Sequence, residues 1–238
     1  MALILVTGSS TGLGLNAAQA LVDEGHEVVV HARSAARIEG QPWLQQLLGA
    51  VHGDLGTHEG ARAVAEAANA FGRFDAVIHN AGVMDGPVAE VNVDAPYLMT
   101  ALMERPARLV YLSSDMHRGG SASLRGLSGR GRVSYSDSKL YVTALAMAVA
   151  RLWDDVCSHA VDPGWVPTRM GGSGAPDDLT AGHQTQTWLA TADNVKPRTG
   201  GYWYHRSTQT PHRSALDENF QDELLAVLES RTGIALPR

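Results

Sequence analysis

Short apolar runs alternate with alanine-rich segments of helical periodicity along nearly the whole chain, and this alternation restricts the fold more than any other feature. Strand candidates are Leu3 to Thr7, Val28 to His31, Ala50 to His52, Ala76 to His79, Leu109 to Leu112, Ser158 to Val161 and Tyr202 to Tyr204. Between them, Leu13 to Glu24, Gly60 to Phe71, Asn92 to Met103 and Ser134 to Trp153 carry helical spacing, and a last helix over Asp217 to Arg231 meets a C-cap at Gly233. Strands in strict alternation with helices predict βαβ units. The expected fold is α/β: a Rossmann-type doubly wound parallel sheet of about seven strands with helices on both faces, in three αβα layers. Neither a repeat nor a linker interrupts the 238 residues, so a single nucleotide-binding domain over residues 1–238 is expected.

Composition narrows the class. An apolar content of 44% suffices for a core, and a net charge of −6 argues against nucleic acid or an acidic membrane as partner. The lone Cys157 excludes an internal disulfide. Ten histidines show no ligand spacing such as HExxH, so no metal site is expected. The opening MALILVTGSS reads as a buried strand rather than a secretory leader, and the longest apolar helix contains Arg151. A cytoplasmic protein without membrane contact is the expectation.

The first strand leads directly into Thr7-Gly8-Ser9-Ser10-Thr11-Gly12-Leu13-Gly14 and then into a helix. Glycines there allow a tight turn and close approach to a pyrophosphate, whose charge is favoured by free N–H groups at a helix start. A structural turn is the competing reading; position between strand and helix disfavours it. Tyr135 and Lys139 lie four residues apart on a predicted helix, hence on one face. An ammonium beside a phenol favours the phenolate and is expected to lower the tyrosine's pKa toward working range. After the second strand the chain reads His31-Ala32-Arg33-Ser34. Arg33 offers a planar cationic fork to a phosphate, and Ser34 a further donor.

The ordered set of motifs resembles the short-chain dehydrogenase/reductase family in its shorter form. The TGxxxGxG turn, Asp54 followed by Leu55, His79-Asn80-Ala81-Gly82 in place of NNAG, the Tyr135–Lys139 pair in YxxxK, and Pro163-Gly164 with Val166 and Thr168 in PGxxxT appear in family order. The resemblance implies NAD(P)-dependent carbonyl–alcohol interconversion. Tyr135 would exchange the proton, Lys139 would bind the nicotinamide ribose and tune Tyr135, Ser114 would hold the reacting oxygen and Asn92 would support a water chain. Gly8, Ser10, Thr11, Gly12, Leu13 and Gly14 would line the pyrophosphate, Asp54 and Leu55 the adenine, and Asn80, Ala81 and Gly82 the middle of the cofactor. Pro163, Gly164, Val166 and Thr168 would hold the nicotinamide. NAD-preferring relatives usually carry an acid at the Ala32 position, so Arg33 implies preference for NADP(H). A homo-oligomer, dimer or tetramer, is the family's usual state.

Two departures stand out. Asn92 follows Asn80 by only twelve positions, so the helix relatives place there must be missing or reduced to a loop that opens one side of the site. The segment from Ser113-Ser114 to Tyr135 is long instead, and resembles retinol-dehydrogenase-like and protochlorophyllide-reductase-like members. It carries Arg118, Arg125, Arg130 and Arg132, which read as a solvated loop or as attraction for an anionic substrate. Met170 to Leu179, rich in Gly, Pro and Asp, is expected to be a mobile lid. His117 reads as a surface loop residue, and Trp165 as pocket wall or core. Two other functions compete. A catalytically idle dinucleotide sensor has no need of the Ser-Tyr-Lys set, and nucleotide-sugar epimerases usually carry GxxGxxG and a longer C-terminal part.

Overall fold

The computed structural model describes all residues, 1–238. In chain order it contains β1 (Leu3–Val6), α1 (Gly12–Asp23), β2 (Glu27–Ala32), β3 (Gly49–His52), α2 (His58–Asn69) and β4 (Ala76–His79). There follow α3 (Ala95–Leu102), β5 (Arg108–Leu112), α4 (Tyr135–Leu152), β6 (Cys157–Asp162), α5 (Leu179–Thr191), β7 (Gly201–Tyr204), β8 (Ser207–Gln209) and α6 (Glu218–Thr232). One sheet runs β3-β2-β1-β4-β5-β6-β7-β8, parallel throughout except for the antiparallel β7–β8 hairpin. The order reverses between β1 and β4, where Val6 pairs with Ile78. In doubly wound sheets, ligands bind outside the strand carboxyl ends at such a reversal.

Both faces of the sheet are covered, which explains the near-continuous apolar strands. Leu5, Val29, Val77, Leu109 and Tyr111 pack with α2, α3 and α4. Ile4, Val6, Val28, Val30, Ile78 and Val110 face the layer of α1 and α5. Alternation along each strand therefore divides one sheet between two cores. α6 lies over α4, with Phe220 tilted against Tyr141 at a centroid distance of 6.2 Å. No helix is long and apolar enough to cross a membrane.

Three features were not fully specified by local sequence. The sheet has eight strands, because β8 is a short, exposed Ser-Thr-Gln edge with no apolar signal. α5 carries little local signal because its Thr, His and Gly residues are weak helix formers; Asp178 caps it by accepting from the Ala181 N–H, and burial of its Leu189 and Ala190 holds it. The helix expected from Asn92 is instead a π-helical turn, Glu90–Asp94, leading into α3. Residues 81–87, by contrast, contain no helix, so the anticipated short loop is what connects β4 to that turn.

Candidate active site

The glycine turn is set at the sheet's reversal by close packing. Gly8 and Gly12 both have positive φ, at 62° and 61°, where a side chain is strained. A Cβ on Gly8 would lie 2.8 Å from Ala81 Cα, and one on Gly14 would lie 2.4 Å from Asn80 Nδ2. Asn80 donates from that nitrogen to the Thr7 and Gly8 carbonyls, and Thr7 Oγ1 accepts from the Ala81 N–H. The Asn80 amide is thus committed to holding the turn. No side chain caps the start of α1 and no acid occupies its first turn. Its N–H groups are left for an anion, so the turn fits the pyrophosphate of a dinucleotide.

At the end of β2, Arg33 and Ser34 are exposed. Arg33 Nε lies 3.6 Å from Asp54 Oδ1, and the same oxygen accepts from the Gly56 N–H. This solvated pair leaves the terminal guanidinium nitrogens without a protein partner. Leu55, beside Asp54, is buried. His31 links turn and sheet: its Nδ1 accepts from the Gly8 N–H, while Nε2 donates to the Gly53 carbonyl. Burial pushes its pKa down, matching the neutral ring these bonds require. Sequence reading missed this residue because histidines were weighed there only as metal ligands.

The two adjacent serines have different surroundings. Ser113 is buried and bonded to Thr143 Oγ1 at 2.7 Å. Ser114 is half-buried; its hydroxyl accepts from the Met116 N–H and lies close enough to the Tyr135 phenol to favour its phenolate. Tyr135 is the first residue of α4, behind a Ser134/Asp137 capping box, so it sits at the positive end of the helix dipole. Lys139 Nζ lies 5.4 Å from the Tyr135 ring centroid and donates to the Leu112 carbonyl at 2.7 Å. Gly82 passes close by, where a Cβ would be 3.5 Å from both Lys139 Nζ and Asn92 Oδ1. Asn92 accepts from the Val83 N–H and donates to the Val83 carbonyl and Ser138 Oγ. Both its amide hydrogens are engaged, so its side chain braces the site's floor.

The expected lowering of the tyrosine's pKa by Lys139 is absent here. Burial pushes Tyr135 up to about 12, the Ser114 hydrogen bond opposes this, and the Asp162 carboxylate adds to it. Burial also brings Lys139 down to about 8, with Asp162 opposing. Desolvation governs both shifts, and the ammonium is turned toward the Leu112 carbonyl instead of the phenol. Asp162, at the end of β6, was not singled out from the sequence. Its carboxyl accepts from the Gly164 N–H at 2.9 Å, and burial raises its pKa.

The segment after β6 closes the cleft opposite α1. Thr168 faces the glycine turn, its Cγ2 3.8 Å from where a Gly12 Cβ would stand. Val166 is buried, and Pro163 and Gly164 are half-buried. Trp165 is 60% exposed and therefore not core. Its indole donates to the Gly171 carbonyl and its backbone N–H to Asp177, which ties the following loop across the segment. His117 corrects the surface expectation: it is fully buried, contacts the Ser114 carbonyl through Nδ1 and accepts from the His212 N–H through Nε2. It positions the backbone of Ser114. A cavity of about 320 Å³ opens beside Tyr135, lined also by Met84, Val88, Arg132, Val133 and Ser134.

A family model described as short chain dehydrogenase matches residues 2–105. The chain is 37% identical to the short-chain dehydrogenase chyC of Penicillium rubens, over 100% of both chains. Among solved structures, an uncharacterized protein from Mycobacterium paratuberculosis superposes with a TM-score of 0.84 at 21% identity, covering 100% of this chain and 96% of that one. An NADPH-bound carbonyl reductase from chicken fatty liver matches with a TM-score of 0.68 at 19% identity, covering 87% and 98%.

Proposed function

From the premise that this chain belongs to the short-chain dehydrogenase/reductase family and is an NAD(P)-dependent oxidoreductase, we propose that it interconverts a carbonyl compound and its alcohol, with NADP(H) as the preferred cofactor. The observation that carries this reading is the convergence of Ser114 and Lys139 on Tyr135 at the strand carboxyl ends, beside the uncapped start of α1. NADP(H), when bound, supplies or accepts the hydride.

A phenol whose pKa stands at about 12 is protonated at neutral pH and suits donation of a proton to a carbonyl oxygen. Ser114 donates a second hydrogen bond to that oxygen as it gains charge, from a position His117 holds in place. Lys139, mostly cationic at pH 7 with a pKa near 8, sits below the tyrosine and stabilises the phenolate left after donation. Asn92 keeps Val83 and Ser138 fixed around both. Arg33 supports the cofactor preference, since the position of the acid that would repel a 2′-phosphate is Ala32 here and a cation follows it.

The test is NADPH consumption by purified protein against aldehydes, ketones and quinones. Tyr135→Phe should lower turnover by about 100-fold or more while cofactor binding survives, because only the proton donor is removed. Near-native turnover by that variant would take Tyr135 out of the mechanism.

A further inference from the structure

Resting on that reading of Tyr135, the geometry points to a substrate class: we propose that the carbonyl substrate carries an anionic group, a carboxylate or phosphate, and that Arg132 binds it. The cavity beside Tyr135 has an apolar wall made by Met84, Val88 and Val133, and the exposed residue Arg132 is the one cation among its lining residues. Its volume of about 320 Å³ stands at the lower end of small-molecule sites, enough for one ring or a short chain between the reacting carbonyl and a terminal group.

The loop's four arginines are not equivalent. Arg118 is committed to Asp115 and to the Thr210 carbonyl. Arg125 and Arg130 do not line the cavity. Arg132 does, and no carboxylate lies within ion-pairing distance of it. A second recess of about 270 Å³ adjoins the first, sharing Val88, Arg132 and Val133. Its other charges, Glu90 and Arg231, are 2.8 Å apart and satisfy each other, with Arg231 also bonded to Asp94. Arg132 is therefore the uncommitted cation on the wall common to both spaces.

Its position is built in. Gly126 runs so close that a Cβ there would lie 3.0 Å from the Arg132 carbonyl oxygen, so the loop doubles back tightly and holds the Arg132 backbone. The helix-free stretch at residues 81–87 leaves this side of the site open, and Met84 from that stretch faces the cavity. An apolar slot with the proton donor on one wall and a free guanidinium on another fits a keto acid or keto phosphate better than a neutral ketone.

Matched probes test this: para-acetylbenzoate, its neutral methyl ester, and para-acetylphenyl phosphate. Each is assayed for NADPH loss with the unmodified protein, and for binding by calorimetry to the NADPH-loaded Tyr135→Phe protein. The expected result is a preference of about two- to fivefold for an anionic probe over the ester, the size an exposed ion pair supports. Arg132→Gln should bring that ratio to one, and Arg132→Lys should retain part of it. Carboxylate and phosphate arms show which anion is favoured. A ratio near one in the unmodified protein, a ratio that survives Arg132→Gln, or no binding of either anion overturns the proposal. Charge-selective binding without NADPH loss would instead remove the carbonyl-reduction reading and leave the Arg132 site standing.

Discussion

Acid should destabilise this protein through His79, the residue that stands where the family motif has asparagine. Its ring is fully enclosed at the end of β4, stacked on Tyr111 at 4.7 Å, and Nδ1 has no hydrogen-bond partner. Burial therefore holds its pKa at about 3, against 6.5 for an ordinary histidine. As pH falls below 6.5 the unfolded chain takes up a proton that the folded protein refuses, so stability declines from there down to about pH 3. At pH 5 the unfolded histidine is about 1.5 units below its pKa, which at about 1.4 kcal/mol per unit gives a loss of about 2 kcal/mol. His159, held at about 4 by burial, adds a loss in the same direction. His79→Phe keeps a ring against Tyr111 and removes only the titration. Urea unfolding at pH 7.5 and pH 5.0, followed by tryptophan fluorescence, should show the variant losing about 2 kcal/mol less than the unmodified protein over that interval. Because each protein is compared with itself, any baseline effect of the substitution cancels. Equal losses in the two proteins would refute the reasoning.

Calorimetric titration should find NADPH bound at least about tenfold more tightly than NADH, as a charged hydrogen bond from Arg33 implies, with Arg33→Ala removing most of the difference. Equal affinities in the unmodified protein would refute the assignment; the Arg33–Asp54 pair, both partners more than half exposed, is too weak an attraction to withhold the guanidinium. Gly14→Ala should destabilise the fold by about 1–3 kcal/mol, since its Cβ must displace Asn80 and the Gly8 carbonyl; thermal unfolding measures this, and an unchanged midpoint would contradict the packing. Residues 170–179 should gain hydrogen-exchange protection when cofactor and substrate are both present, because Gly172 and Gly174 leave the loop adaptable between its ties to Trp165. Equal protection in the free and ternary states would count against a lid.

Local physics made much of this protein legible before folding was considered. A strand that ends in Gly8-Ser9-Ser10-Thr11-Gly12 and passes into an alanine-rich helix has few ways to pack, and helical spacing alone put Tyr135 and Lys139 on one face. The helix from Tyr135 to Leu152 lies where its periodicity implied, and the structure adds its Ser134 cap. Other features depend on partners distant in sequence. Which serine meets Tyr135 is a matter of strand direction at the end of β5, where Ser113 turns inward to Thr143 and Ser114 outward. α5 and β8 lack a local signal and exist because α1 and β7 offer surfaces to pair with. The pKa values follow the same division: a Tyr–Lys spacing predicts attraction, but desolvation by the surrounding core decides the balance and leaves Tyr135 at about 12 and Lys139 at about 8. Burial is a property of the whole chain. It made His31 and His117 into braces for the glycine turn and for Ser114, because only the assembled chain brings a second hydrogen-bond partner to each ring.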